Sequence, residues 1–289
     1  MFGFRSDGKN AAKEMDIFTR VTPYIMPTRA DAQNFNTVYF DEKTLTDYVR
    51  EKRAEGHVMS TLAVVIAAYV RAIAAMPEMN RFCVGRKVYA RNYLSVCFVA
   101  VHQPDRAKFE ESTAKVYFTP RDTVFEVAEK VEEAIAKIKK STADNKTTQL
   151  ANKLINIPGL LSIGVPVLKF MDYFGILPRP ILDASPFHTS MFITNMASIR
   201  LPKLYHHIYN FGTVSQFFSI GEKEKKVEVD KEGNVSVRTV YPLGIVTDER
   251  VASGSFYAMG FREISKCLKN PHIMENPPET VRFEAGVEY

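Results

Sequence analysis

The sequence lacks several short patterns that identify large enzyme classes. No GxGxxG follows a strand, and neither GxxxxGK[ST] nor GxSxG occurs in the 289 residues. These absences argue against Rossmann dinucleotide binding, P-loop nucleotide binding and α/β-hydrolase chemistry. The six histidines form no HExxH motif and no cluster with cysteine, so we expect no metal site.

Cysteine and long apolar runs are also scarce. Cys83, Cys97 and Cys267 form no CxxC pair, and each lies in an apolar stretch, which predicts buried free thiols and a reducing cytoplasm. No run of eighteen apolar residues occurs, and the N-terminus has no secretory apolar segment, so we expect no membrane span. The apolar region 154–182 is interrupted by three prolines and is predicted to be a packed helical connection.

The charge is nearly balanced and evenly spread. The net charge of +5 comes from 38 basic and 33 acidic residues without a basic block. Nucleic-acid binders usually concentrate positive charge, so we expect no nucleic-acid partner. A basic rim around a site for a small anionic ligand fits this balance equally well.

Periodicity and capping residues predict a mixture of helices and strands. Helices are expected at 42–54 (capped by Asp41), 60–76 (capped by Ser60 or Thr61, and apolar all round as in a core helix), 120–141, 147–175 and 255–268. Strands are expected at 36–40, 87–101, 114–118, 191–195, 216–221, 226–230, 235–240 and 240–247, and KEGN is expected to form a hairpin turn between 226–230 and 235–240. Residues 17–40 are otherwise predicted to be extended, and 270–289 to be a loose tail. The fold class is therefore α/β (mixed α+β, two layers), with a mixed sheet flanked by helices in a single domain over 1–289.

One segment has the pattern of a catalytic loop. The stretch 240–254 contains YPLGIVTDERVASG (241–254), in which an apolar strand ends in three charged residues, a small-residue corner follows, and a helix begins. A buried strand that ends in this way delivers a polar side chain held by rigid neighbours. The candidate site is therefore placed at Asp248–Gly254.

Four stretches in register resemble one superfamily. They are HVMSTLAVVIAAYVRAIAAMPEMNRF (57–82), SMFITNMASI (190–199), SQFFSIGEKEKKVEV (215–229) and DERVASG (248–254). In order and spacing they resemble the catalytic domain of the chloramphenicol acetyltransferase-like and 2-oxoacid dehydrogenase (dihydrolipoyl) acyltransferases over about 35–275. From these 289 residues we expect a stand-alone catalytic-type domain with neither a lipoyl domain nor a peripheral subunit-binding domain.

The resemblance implies a mixed sheet flanked by helices, a homotrimer, and active sites at subunit interfaces that coenzyme A and the acyl acceptor reach from opposite sides. In the family, a histidine deprotonates the acceptor and a hydroxyl side chain stabilises the oxyanion. Thr194 matches the position of that hydroxyl, with Asn195 beside it as a binding candidate. Arg250 matches the motif arginine and is a binding candidate together with Ser253 and Arg29, and Gly254 matches the glycine whose missing Cβ would permit the corner.

Two motif positions differ from the family. Glu249 stands at the catalytic histidine and Ser253 at the motif aspartate or asparagine. With Ser253 there, Arg29 cannot form the ion pair that acetyltransferases make between an N-terminal arginine and the motif aspartate. Desolvation would make Glu249 a useful base, whereas a neighbouring cation would make it a structural ion-pair partner.

Other histidines are candidates to replace the missing one. His188, just before the 191–195 strand, is a reserve catalytic candidate. The pair His206-His207 is followed by IYNFG instead of xxxDG and is interpreted as loop or interface histidines. The leading hypothesis is a cytoplasmic, coenzyme A-dependent acyltransferase with Glu249 as base and Thr194 as oxyanion donor. The alternative is a catalytically degenerate trimer that acts as a ligand-binding or scaffold protein.

Overall fold

The structure is a computed structural model that describes residues 4–105, 108–140, 156–157, 159–284 and 286–289. These residues contain the helices α1 (Ile17–Ile25), α2 (Glu42–Ala54), α3 (Thr61–Ala75), α4 (Val124–Lys140), α5 (Leu160–Tyr173), α6 (Arg179–Ala184) and α7 (Gly254–Lys269). The strands are β1 (Phe4–Arg5), β2 (Gly8–Asn10), β3 (Gln33–Asp41), β4 (Arg81–Val84), β5 (Lys87–Arg91), β6 (Leu94–Asp105), β7 (Lys108–Phe118), β8 (Met191–Asn195), β9 (Gln216–Ile220), β10 (Glu224–Val229) and β11 (Val235–Asp248).

A seven-stranded mixed sheet organises the chain, as expected. Its order is β10-β11-β9-β8-β6-β7, and β3 pairs with the second half of β11. The strands β6, β8 and β9 are parallel neighbours, whereas the other pairs are antiparallel. Because β8 is parallel to β9 and β11 is antiparallel to it, the chain leaves β8 and β11 at opposite ends of the strands of the sheet.

The helix α3 fills the core on one face of this sheet. Its cap is the predicted one, since Ser60 Oγ accepts a hydrogen bond from the amide of Ala63 at 3.2 Å. Nearly the whole helix is buried, and it packs against α4 and α7. A helix that is apolar on all sides is predicted to be enclosed by other elements, and α3 is enclosed in this way. Asp41 caps α2 in the same way, through the amide of Thr44 at 2.8 Å.

Two local predictions were wrong. The supposed extended lead-in contains α1, which begins after Asp16, whose carboxylate accepts a hydrogen bond from the amide of Thr19 at 3.0 Å. The supposed strand 87–101 is two strands: β5 belongs to a small sheet of order β1-β2-β5-β4, and β6 belongs to the large sheet. Alternation continues through both strands, so the pattern does not reveal that the chain changes sheets.

The predicted hairpin is present and leads into one long strand. Val229 pairs with Val235, and the carboxylate of Asp230 accepts hydrogen bonds from the amides of Glu232 and Asn234 across the turn. The two strands predicted at 235–240 and 240–247 are one continuous strand, β11. This strand carries the chain directly from the hairpin to Asp248.

The C-terminal segment has little regular structure, but it is not loose. Arg81 Nε lies 2.6 Å from the carboxylate of Glu284, and the Asn80 amide donates to the Tyr289 hydroxyl at 2.8 Å. Arg282 donates to Glu78, and the side chain of Val287 is buried. Tertiary ion pairs, which proline and glycine content does not indicate, therefore fasten this segment to the core.

Part of the region expected to be a packed helical connection is also different. The helix α5 forms, but most of its large apolar side chains are exposed, as with Ile163 at 70% and Phe170 at 59%. No helix in the described part of the chain is long and apolar enough to cross a membrane. Residues 141–155, where the predicted helix 147–175 begins, lie outside the described residues.

Candidate functional site

The loop that follows β11 is fixed by a buried ion pair. The carboxylate of Asp248 accepts three hydrogen bonds from Arg250: from the amide at 3.1 Å, from Nε at 2.8 Å and from Nη2 at 2.7 Å. Both side chains are buried, and Nη1 of Arg250 donates to the carbonyl of Pro27 at 3.1 Å. This two-pronged geometry is the strong form of an arginine–carboxylate pair. Arg250, predicted to bind ligand, therefore also holds the loop.

Arg29 joins the same cluster. Its Nε lies 3.7 Å from Asp248 Oδ2, and its other nitrogens donate to the carbonyls of Cys83 at 3.0 Å, Gly212 at 2.6 Å and Tyr209 at 3.1 Å. Burial lowers the pKa of Arg29, and the negative charge of Asp248 partly opposes that shift. Because position 253 is a serine, Arg29 has no carboxylate there, and Asp248 supplies the carboxylate instead.

The end of the loop contradicts the prediction made for Gly254. It also places Ser253 before α7 without a capping hydrogen bond. Ser253 occupies the N-cap position of α7, but its Oγ lies 2.8 Å from Ser255 Oγ and caps no backbone amide. A Cβ added to Gly254 would meet no atom within 4 Å. The corner therefore does not depend on the missing Cβ of Gly254, because this glycine is simply the first residue of a helix.

Glu249 lies between these fixed residues with its side chain uncommitted. Its amide donates to the carbonyl of Ala32 at 2.9 Å, which ties the backbone to the start of β3. The side chain is half-buried, and no hydrogen bond or ion pair joins its carboxylate to another residue of the described ranges. The position is thus held by its backbone, while the carboxylate stays available.

Thr194 and Asn195 lie together in a cavity of about 390 Å³ on the sheet face opposite α3. Thr194 Oγ1 makes only a weak 3.5 Å contact with the sulfur of Met196. The buried Oδ1 of Asn195 has no hydrogen-bond partner among the described residues. The walls include Phe217 and His206, whose rings are stacked at 4.2 Å. Polar atoms with spare bonding capacity in an apolar cavity are typical of a ligand site.

His188, the reserve catalytic candidate, is in a different environment. It has no exposed surface, its Nδ1 lies 2.8 Å from Ser185 Oγ, and its Nε2 lies 3.3 Å from Asp172 Oδ1. Arg5 Nη2 binds the same carboxylate at 2.7 Å. Burial would raise the pKa of Asp172, but His188 and Arg5 outweigh it and lower the pKa to about 2. His188 belongs to this buried network and does not line the Thr194 cavity.

The sheet register separates the two halves of the predicted site. Thr194 pairs with Ser219, which pairs with Gly244, so these three residues form one row across the sheet. Asp248 lies four residues farther along β11. At about 3.3 Å per residue and about 4.8 Å per strand, the backbones of Thr194 and Asp248 are about 16 Å apart. Glu249 and Thr194 of one chain therefore do not converge on one reacting carbonyl.

Comparison with solved structures identifies the architecture. A probable dihydrolipoamide acetyltransferase from Listeria monocytogenes aligns over 92% of this chain and 94% of its own, with 13% identity and a TM-score of 0.57. Chloramphenicol acetyltransferase aligns over 88% of this chain and 98% of its own, with 12% identity and a TM-score of 0.51. The chain has the chloramphenicol acetyltransferase-like fold. No protein-family model and no curated protein matches the sequence.

A third structure with this fold concerns the site itself. The dihydrolipoamide acetyltransferase of Azotobacter vinelandii aligns over 89% of this chain and 88% of its own, with 13% identity and a TM-score of 0.57. Its catalytic mechanism has been investigated through a serine, a histidine and an asparagine, the last four positions after the histidine.

One residue of the Thr194 cavity was not predicted from the sequence. His206, interpreted as a loop or interface histidine, does lie outside the helices and strands, and it also forms part of the wall around Thr194. Its Nδ1 lies 2.8 Å from the carbonyl of His207. A carbonyl only accepts, so Nδ1 carries the proton, and in the neutral ring Nε2 is then an acceptor. No sequence motif marks His206, because its position depends on stacking against Phe217 of β9.

A metal-based site has no support in the described ranges. They contain no group of three or more His, Cys, Asp or Glu side chains arranged to hold a metal ion. The three cysteines are free and buried, as predicted, and burial raises the pKa of Cys97 to about 12. These thiols therefore remain protonated at neutral pH.

Proposed function

We propose that this chain is a coenzyme A-dependent acyltransferase whose active site is completed by a second copy of the chain. Two features carry the proposal: the Thr194 cavity is open, and the Glu249 loop is rigid. Within one chain they lie too far apart to act on the same substrate. In the proposed homotrimer, the loop of one subunit faces the cavity of its neighbour. The acyltransferase fold of the solved structures supports this assignment.

Exposed apolar surface supports an oligomer. The hairpin formed by β10 and β11 carries two cross-strand valine pairs on one face, Val227 with Val237 and Val229 with Val235. Each of the four is at least 60% exposed. An apolar sheet face of this kind is expected to be covered by protein. A similar chain forms the cubic core of the pyruvate dehydrogenase multienzyme complex, which shows that this fold can assemble.

The reaction needs a base and an oxyanion donor. Glu249 would accept the proton of a small thiol, hydroxyl or amine as that group attacks the thioester carbonyl. The hydroxyl of Thr194 would donate to the oxyanion, the carbon–sulfur bond would break, and the coenzyme A thiolate would take the proton back. Because an ordinary glutamate has a pKa near 4.3, it is a weaker base than histidine, and slow turnover is expected.

The decisive experiment measures loss of the acyl-CoA thioester in the wild type and in Glu249→Gln with a panel of small acceptors. Removal of the base should lower the rate by about 10²–10⁴. His206→Gln is measured in parallel because His206 lies in the wall of the Thr194 cavity and could act as a base there, and His207→Gln is its matched control. Turnover that Glu249→Gln leaves unchanged would contradict the proposed role of Glu249.

A non-catalytic trimer for ligand binding or scaffolding is the second candidate. The cluster of Asp248, Arg250 and Arg29 supports it, because this cluster keeps the loop in place without the side chain of residue 249. This alternative expects assembly and ligand binding without turnover. The combined substitution Glu249→His and Ser253→Asp should then create activity that the wild type does not have.

A further inference from the structure

A second concave site lies apart from the Thr194 cavity. This basic cleft encloses about 590 Å³ between the segment before β3, the β4–β5 turn and the end of α5. Its charged wall residues are Arg29, Arg86, Lys169, Arg250 and Asp172. Four cations thus face one carboxylate, and this local excess of positive charge agrees with the basic rim around an anionic-ligand site that the charge balance left open.

Asp172 does not neutralise these cations, because it is already bonded elsewhere. Its carboxylate binds Arg5 at 2.7 Å and lies 3.3 Å from the His188 ring. Arg5 also pairs with Asp7 at 2.7 Å. Among the described residues that line the cleft, Asp172 is the one acidic residue, and its carboxylate is engaged by Arg5 and His188 rather than by the four cations.

The two buried arginines share one carboxylate. Asp248 is bonded to Arg250 at 2.7 Å and 2.8 Å, whereas its distance to Arg29 Nε is 3.7 Å. Arg29 is only 3% exposed, and its Nε has no hydrogen-bond acceptor among the described residues. A buried cation without full compensation is costly, so an anion in the cleft would relieve a charge excess that the protein leaves open.

The rim carries two further cations. Arg86 and Lys169 are exposed, and neither has a carboxylate within 4.0 Å in the described part of the chain. Gly85 and Arg86 both have left-handed backbone conformations, with φ of 59° and 60°. Asparagine or glycine is favoured at such turn positions, so an arginine here is held at some conformational cost. Tyr173 of α5 packs against Gly85 and fixes the rim.

We propose that this cleft binds a multiply charged phosphate ligand, such as a diphosphate group. Guanidinium groups match phosphate oxygens in pairs, and four cations suit a ligand with more than one negative charge better than a single carboxylate. The volume leaves room for a larger molecule attached to the phosphates. The inference goes beyond the proposed acyl transfer, because neither Thr194 nor Glu249 lines the cleft.

Titration calorimetry with inorganic pyrophosphate at constant ionic strength tests the proposal without any turnover. The wild type should bind, and the double variant Arg86→Ala with Lys169→Ala should bind at least about tenfold more weakly, since two charge-assisted contacts are lost. The matched control is Arg262→Ala with Lys269→Ala, which removes the same two charges from exposed positions on α7. It should bind as the wild type does.

Further ligands separate the sources of the phosphate. If the phosphates belong to coenzyme A, coenzyme A should bind more tightly than pyrophosphate, and its affinity should fall in the double variant, while pantetheine should be unaffected. If the phosphates belong to another ester, the double variant should weaken the binding of pyrophosphate but not that of coenzyme A. Equal affinities of the double variant and the control, or equal binding of sulfate and pyrophosphate, would overturn the proposal. A catalytically inactive protein that still binds pyrophosphate would refute only the acyl transfer.

Discussion

The cluster around Asp248 and the cavity around Thr194 differ in how completely their polar atoms are bonded. Asp248 accepts three hydrogen bonds from Arg250 and lies beside Arg29, all of it buried. Thr194 has only a weak contact with a sulfur atom, and Oδ1 of Asn195 has none in the described ranges. A buried ion pair with several hydrogen bonds holds a loop in one conformation, whereas polar atoms in a cavity that lack hydrogen-bond partners are available to a ligand.

The largest expected effect is on stability, at Asp248. Asp248→Asn should lower the free energy of unfolding by about 3–5 kcal/mol, because it leaves two buried guanidinium groups without a counter-charge. Urea unfolding gives this value. Glu249→Gln, at the adjacent position, is the control and should change it by less than about 0.5 kcal/mol. Equal effects of the two substitutions would mean that the Asp248 cluster is not the element that holds the loop.

At Thr194 the expected effect is on rate instead. If the protein transfers acyl groups, Thr194→Val should reduce kcat by about 10²–10³, because the oxyanion loses a donor, with little change in the urea midpoint. Thr113→Val, in the same cavity wall, is a matched control that keeps the shape change and should leave kcat unchanged. A fall in stability without a fall in rate would assign Thr194 a structural role.

A smaller and pH-dependent effect is expected at Asp172. Its pKa in the folded chain is about 2, below its ordinary value of 3.8, so its stabilising effect is complete above pH 4 and disappears as the pH falls through 2. The shift corresponds to about 2 kcal/mol. The difference in unfolding free energy between the wild type and Asp172→Asn should therefore be largest near pH 7 and shrink toward pH 2. The exposed Asp183→Asn should show no comparable pH dependence.

The smallest expected effect is at Gly254. Because an added Cβ meets no atom within 4 Å, Gly254→Ala should leave stability unchanged or raise it by less than about 1 kcal/mol. Gly212 is the contrasting position, since its φ is 84° and an added Cβ would lie 2.3 Å from the carbonyl of Phe187. Thermal unfolding of Gly254→Ala and Gly212→Ala compares them. Loss of stability in Gly254→Ala would restore the original interpretation of the corner.

Local signals predicted much of the fold. Asp41 was predicted as a cap, and Ser60 was one of two candidates together with Thr61; Asp41 and Ser60 both cap their helices. The hairpin turn was predicted from KEGN and forms at that position. These features depend on residues within a few positions of one another, so the local sequence determines nearly all of the interactions that stabilise them. The lead-in helix was missed although Asp16 caps it; the helix contains Pro23, a residue that disfavours a helix interior.

The candidate site was predicted only in part. The sequence placed Thr194 and Asn195 together and placed Glu249 in the loop after β11. It did not show that Arg29 pairs with Asp248, that His206 reaches the Thr194 cavity, or that His188 is buried beside Asp172. Each of these contacts joins residues far apart in the chain, and their energies depend on a geometry that no local pattern encodes.

The sequence by itself therefore determined the mixed sheet, its covering helices, and the identity of the residues that replace the family's histidine and acidic residue. Only the tertiary structure decided which charges are neutralised. Arg29, Arg86, Lys169 and Arg250 are dispersed through a chain of nearly balanced charge, and folding brings them to one cleft. Asp172 is bonded to Arg5, and Asp248 alone is shared between Arg250 and Arg29. Charge interactions act through distances in space, which is why separation along the chain does not reveal them.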